Sequence, residues 1–101
     1  MHARVARYAI EPDNIVDALD GFRDVGRELA ELEGFKGGHV LVEYDEGTLI
    51  TLTLWENRAA LDKSEVRAAS LRQRALRSVG GEVQSVTCYE VPVELGTGAS
   101  A

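Results

Sequence analysis

Apolar residues crowd most densely into residues 34–57, which read GFKGGHVLVEYDEGTLITLTLWEN. Residues 39–44 and 49–55 are rich in Val, Leu, Ile, Thr and aromatics. Such residues suit a pleated, half-buried surface, so each stretch is predicted to be a strand. Asp45, Glu46 and Gly47 supply the turn between them, with Gly47 free to take a positive φ. A three-residue loop pairs Tyr44 with Thr48. One face of the hairpin then carries Val40, Val42, Tyr44, Ile50, Leu52 and Leu54, and the other carries His39, Leu41, Thr51, Thr53 and Trp55. A two-residue loop would swap these pairings. Neither face reads as solvated, although an antiparallel sheet normally wets one side.

The flanking pattern completes the fold. Residues 3–10 alternate weakly and form the first predicted strand, with Arg4 and Arg7 on opposite faces. Pro12 stops it, and Asp13 is suited to cap a helix. Residues 13–33 repeat apolar positions at helical spacing: Ile15, Leu19, Phe22, Gly26 and Leu29, widened by Val16 and Leu32. Gly34 fits the left-handed position beyond the helix, and Phe35 can fold back on it. Asn57 caps a second helical region reaching about Val79. Its stripe is interrupted at Asp62, Lys63, Ser64 and Glu65, which predicts a short helix, an irregular joint that Ser64 caps, and a longer helix. Gly80 and Gly81 end it. Residues 82–94 form the last strand, and Pro92 marks an edge or an exit. The order is that of an α+β, ferredoxin-like β-α-β-β-α-β domain with an antiparallel sheet. Both helices would lie on one face, so the other is free for a partner, most simply a second copy of the chain. Residues 1–95 are read as the domain and 96–101 as a tail with no reason to be ordered.

Charge and composition narrow the partners. The chain has 101 residues, 45% of them hydrophobic, and a net charge of −6. An acidic chain disfavours nucleic acid and anionic membranes. No apolar run approaches the roughly 20 residues that cross a bilayer, and residue 1 opens no basic-then-apolar leader. With the single Cys88, this indicates a reducing, cytoplasmic setting. The first helix holds seven acids against Arg23 and Arg27, whereas the second region holds six of the 11 basic residues, Arg58, Lys63, Arg67, Arg72, Arg74 and Arg77. The two helices would attract along a shared edge, weakly.

Candidate chemistry is sparse. His2, His39 and Cys88 do not make a metal-ligand spacing, so no metal is expected. The glycines at 34, 37 and 38 lack a phosphate-cradling layout, and no serine elbow accompanies His39. What remains is the mixed face of His39, Thr51, Thr53 and Trp55 beside Leu41. If the first helix, with Phe22, covers it incompletely, an apolar pocket with a few polar groups forms. There Trp55 would stack on a planar ligand and His39 would move a proton. Taken singly, Trp55 reads as core, His39 as a strand-end side chain and Cys88 as a small buried apolar residue. Only the joint placement of His39 and Trp55 makes a site of them.

Gly34-Phe35 followed by a strand, a short turn, a second strand ending in Leu54-Trp55-Glu56-Asn57 and a helix resembles the antibiotic biosynthesis monooxygenase family. The likeness runs from about residue 3 to residue 94. It implies a homodimer joined through the sheet faces, a dimeric α/β barrel, with a pocket between each sheet and its helices. Some members of the family oxidise polycyclic phenols with molecular oxygen and no cofactor. In those members a Trp ends the third strand, which Trp55 matches. Their Asn four residues earlier falls on Thr51. Their second-strand His falls near Leu41, two residues from His39, and their second-helix Arg corresponds to Arg74 or Arg77. The residues of haem-degrading members fall near Arg7, Leu61 or Asp62, and Ser70, where they are absent. The resemblance therefore implies a cofactor-free monooxygenase for a small aromatic or quinol-type substrate. His39 and Trp55 would be catalytic, and Phe22, Leu41, Thr51, Thr53 and Arg74 would bind substrate. The alternative is a non-catalytic binding or assembly module on the same scaffold.

Overall fold

The computed structural model describes residues 1–96. The elements follow the order read from the sequence: β1 (His2–Ala9), a single 3-10 turn (Pro12–Asn14), α1 (Ile15–Leu29), β2 (Phe35–Glu43), β3 (Thr48–Trp55), α2 (Arg58–Arg77) and β4 (Glu82–Glu90). The four strands make one antiparallel sheet in the order β2-β3-β1-β4. The expected tail lies outside the described residues from 97 onward.

The helices cover one face. In α1 the buried stripe is Ile15, Ala18, Phe22, Val25 and Leu29, spaced three and four apart, which is one side of a 3.6-residue repeat. Val16, expected to widen the stripe, is exposed. The helix is shorter than the predicted 13–33. Asn14 rather than Asp13 precedes it, and the Asn14 side chain donates to the Val79 carbonyl (3.2 Å) instead of capping. Beyond Leu29 the chain turns through Gly34, whose φ is +82°. A Cβ there would also lie 2.4 Å from the Ala60 Cβ. Both the dihedral and the close approach to α2 therefore demand glycine.

The second helical region differs from expectation. It is one continuous helix, capped by the Asn57 side chain, which accepts from the Ala60 amide at 2.9 Å. The polar run Asp62–Glu65 does not break it. Ser64 is buried, its hydroxyl donating to the Leu61 carbonyl one turn back (2.7 Å). That run is where β1 docks. Arg4 is 3% exposed. It donates to Ser64 Oγ (3.1 Å), the Leu61 carbonyl (3.1 Å) and Glu65 Oε2 (2.8 Å). A buried guanidinium needs this many partners, because desolvating a charge is costly unless it is paired. Arg7, one face over, is exposed and reaches Gln84. The acidic and basic helices do meet, with Glu28 of α1 pairing with Arg67 (2.8 Å) and Arg74 of α2.

The hairpin register corrects the predicted faces. Glu43, not Tyr44, pairs with Thr48, so the loop holds four residues, Tyr44 through Gly47. The Gly47 carbonyl accepts from the Ile10 amide (2.8 Å), and a Cβ on Gly47 would meet that residue's carbonyl oxygen at 2.2 Å. A one-residue shift reverses every side chain of one strand relative to the other. His39 and Leu41 stand opposite Leu52 and Ile50, whereas Gly38 and Val40 stand opposite Thr53 and Thr51. Continuing across β1, Arg4 pairs with Thr53, Ala6 with Thr51 and Tyr8 with Leu49. These residues face the helices. Val5, His39, Leu41, Ile50, Leu52 and Leu54 share the open face. At the other edge, β4 ends at Glu90, two residues before Pro92, and its Cys88 is exposed rather than buried.

Candidate functional site

Between the helices and the covered sheet face lies an open cavity of about 280 Å³. Phe22, Val25 and Leu29 of α1 form its roof, and Phe35 and Val40 its β2 side. Its polar groups are few: Arg4 and Tyr8 of β1, Thr51 and Thr53 of β3, and Arg72 of α2, with His39 at the β2 edge. Gly26 also lines it, and a Cβ placed there would meet nothing within 4 Å. The missing side chain therefore leaves room that is not taken up by packing. An apolar enclosure with a handful of convergent polar groups is the usual form of a small-molecule site.

The two cations are held differently. Arg4 is pinned by its three bonds to α2 and lies 5.8 Å from the centroid of the Trp55 ring. Its Nε is buried with no hydrogen-bond partner. Arg72 has no carboxylate partner among the described residues. Tyr8 is 1% exposed, its ring tilted against Phe22 at 5.1 Å and its hydroxyl 3.2 Å from Thr51 Oγ1. Burial pushes the Tyr8 pKa up. The Thr51 hydrogen bond, the charge and hydrogen bonding of Arg72, and the charge of Arg4 pull it down less strongly. The phenol accordingly stays protonated near neutral pH, and either it or the Thr51 hydroxyl donates in their shared bond.

The residues nominated from sequence divide into two groups. Phe22, Thr51 and Thr53 line the cavity. Trp55 is fully buried and lies behind the cavity wall. Its Nε1–H donates to Thr53 Oγ1 (3.1 Å), and Phe35 packs edge-on at 5.2 Å. It supports Thr53 and Phe35 rather than offering a face to a ligand. His39 borders the cavity at the strand edge, but its register places it with Leu52 on the open face, away from Trp55. Leu41 is half exposed on that same face, and Arg74 is outside, paired with Glu28. Arg4, Tyr8 and Arg72 were not nominated. The signal for Arg4 was present in two pieces, an arginine at an inward β1 position and a polar break in the stripe of α2. Joining them would have required knowing that the two elements touch. Among the described residues no group of His, Cys, Asp and Glu could hold a metal ion, and no helix is long and apolar enough to cross a membrane.

No family model matches the chain, and no curated protein matches it by sequence. Solved structures do. It is similar to SnoaB, a cofactor-independent oxygenase from Streptomyces nogalater. The TM-score is 0.71 and the identity 16%, over 94% of this chain and 96% of that one. The chain has the fold of the antibiotic biosynthesis monooxygenases. A Deinococcus radiodurans protein assigned as a candidate antibiotic biosynthesis monooxygenase superposes with a TM-score of 0.75 at 12% identity, over 94% of this chain and 96% of that one. A third structure, of an antibiotic biosynthesis monooxygenase, gives a TM-score of 0.65 at 19% identity, over 92% of this chain and all of that one. In this fold the cavity lies between the sheet and its two helices, where the polar groups above converge.

Proposed function

We propose that the chain is a monooxygenase that uses molecular oxygen to oxidise a small, electron-rich aromatic or quinol-type substrate. The observation that carries this reading is the open, largely apolar cavity, whose walls hold two arginines and the three hydroxyls of Tyr8, Thr51 and Thr53. Such a substrate, once ionised, is its own reductant, so no cofactor is required. In the oxidation of an anthrone the ring methylene carbon gains one oxygen atom as a carbonyl. The second oxygen atom leaves as water with the two methylene hydrogens. The protein's contribution is to desolvate the substrate and favour its anion. Arg72 and Arg4 do this electrostatically in surroundings of low polarity, where a fixed cation is worth more than in water. His39 remains the candidate base only if it reaches around the strand edge where it borders the cavity. Pairing of two copies through the open sheet face belongs to the same reading, since Leu41, Ile50, Leu52 and Leu54 otherwise stay wet.

The test is oxygen uptake with a panel of anthrones and hydroquinones, first without additions and then with flavin or haem. Uptake above the protein-free rate without cofactor, abolished in Gly26→Leu, which fills the cavity, is the expected result. Uptake at the protein-free rate across the panel would sink the oxygenase reading. It would leave a non-catalytic binding module, which the separation of His39 from Trp55 favours.

A further inference from the structure

The charges of the cavity wall do not match those of the chain. The protein carries a net charge of −6, yet no Asp or Glu lines the cavity, whereas Arg4 and Arg72 both do. Glu65 answers the charge of Arg4 from outside, but Arg72 has no carboxylate partner among the described residues. Hydrogen counting points the same way. Tyr8 and Thr51 share one hydrogen bond, in which either hydroxyl can donate. Whichever donates, the hydrogen of the other is left without an acceptor in any described bond. Arg72, which can only donate, lines the same cavity as that pair. The cluster therefore holds a surplus of donors and one unneutralised positive charge, next to Phe22 and Phe35. It lacks an acceptor that carries negative charge.

We propose that the cavity selects a planar aromatic anion, a carboxylate or a phenolate, and that Arg72, Tyr8 and Thr51 bind its anionic end. This deepens the reading above, resting on it only for the choice of cavity as the working site. The volume limits the ring system. About 280 Å³ is at or just under the bottom of the roughly 300–1,000 Å³ range of drug-sized ligand pockets, which suits a small, compact ring system. The anionic end lies toward β1 and β3, where the donors are, and the rings lie under Phe22, Val25 and Leu29.

The experiment is calorimetric binding to the full chain under anaerobic conditions, so that turnover plays no part. Naphthoate is compared with its neutral isostere naphthamide, and a nitrophenol ionised at the assay pH with nitrobenzene. The expected result is that each anion binds at least about tenfold more tightly than its neutral counterpart, the scale of one charge-assisted hydrogen bond. The preference should shrink to about twofold in Arg72→Gln and persist in Arg72→Lys. Preference for naphthoate alone would identify a carboxylate site, and preference for the nitrophenolate alone a phenolate site. Equal binding of anions and neutrals by the native protein, no binding of either anion, or a preference unchanged in Arg72→Gln would overturn the proposal. Circular dichroism confirms that the variants are folded, and if Arg72→Gln is not, the loss of preference in high salt replaces it. Anion preference without oxygen uptake would defeat the oxygenase reading alone. Oxygen uptake on neutral rings without anion preference would defeat this one alone.

Discussion

The two faces of the sheet each mix polar and apolar side chains, in different ways. The covered face carries Arg4, Tyr8, Thr51 and Thr53 among its apolar residues, while the open face carries Val5, Leu41, Ile50, Leu52 and Leu54. Some polar groups are thus held under the helices beside Ala6, Leu49 and Trp55, and aliphatic side chains share the open face with Arg7 and His39. Burying hydroxyls and a guanidinium costs stability unless they are bonded, and here Arg4 is held by α2, Tyr8 by Thr51 and Thr53 by Trp55. A row of aliphatic side chains on an open face is the usual form of a contact surface. The covered face borders the cavity, and the open face is the surface on which the proposed pairing of copies would rest.

The sharpest test of that contrast sets one leucine from each face side by side. Leu49→Ala, at a fully buried position, is expected to cost about 2–5 kcal/mol in urea denaturation. Leu41→Ala, at a position 50% exposed, is expected to change the stability of a single chain by less than about 0.5 kcal/mol. If a second copy covers the open face, Leu41→Glu will shift sedimentation toward monomer without loss of fold. An unchanged sedimentation profile that is already monomeric would remove the open face as a self-association surface.

Tyr8→Phe probes the polar half of the comparison. Removing one neutral hydrogen bond to Thr51 is expected to cost about 1 kcal/mol. The pH dependence has a definite sign. Because burial raises the Tyr8 pKa above its ordinary 10.0, the native state keeps a proton that the unfolded chain releases. The stability tied to that proton is fully present below about pH 10 and is lost as the pH rises beyond it. Alkaline denaturation curves should therefore fall less steeply for Tyr8→Phe than for the native sequence. Coincident curves would show that the phenol is solvated. The smallest effect is expected at the helix edge. Glu28 is bonded to Arg67 and Arg74, but all three side chains are partly exposed, so Glu28→Gln should cost under about 1 kcal/mol, and less in salt.

Much of the fold was legible because it follows from short-range rules. The stripe of α1, the cap at Asn57 and the positive φ of Gly34, Gly47 and Gly80 are set within a few residues of themselves. They yielded the element order, and with it the ferredoxin-like topology. The site was legible only where it used the same rules. Phe22 is on the stripe, and Thr51 and Thr53 alternate along one strand. His39 and Leu41 were put on the wrong side of the sheet because face assignment depends on loop length counted to a single residue. Tyr44 joined the turn, and the parity of β2 changed.

What the sequence determined by itself was which segments become strand or helix and in what order, since propensity, capping and apolar period are properties of neighbouring residues. Which side chains meet across distance was settled by packing. Arg4 meets Ser64 and Glu65 from the other end of the chain, Tyr8 meets Thr51, and Arg72 of α2 comes to line one cavity with Tyr8. Those contacts depend on strand register and on the seating of α2 over the sheet. Both are fixed by packing many side chains at once, so no local pattern encodes them.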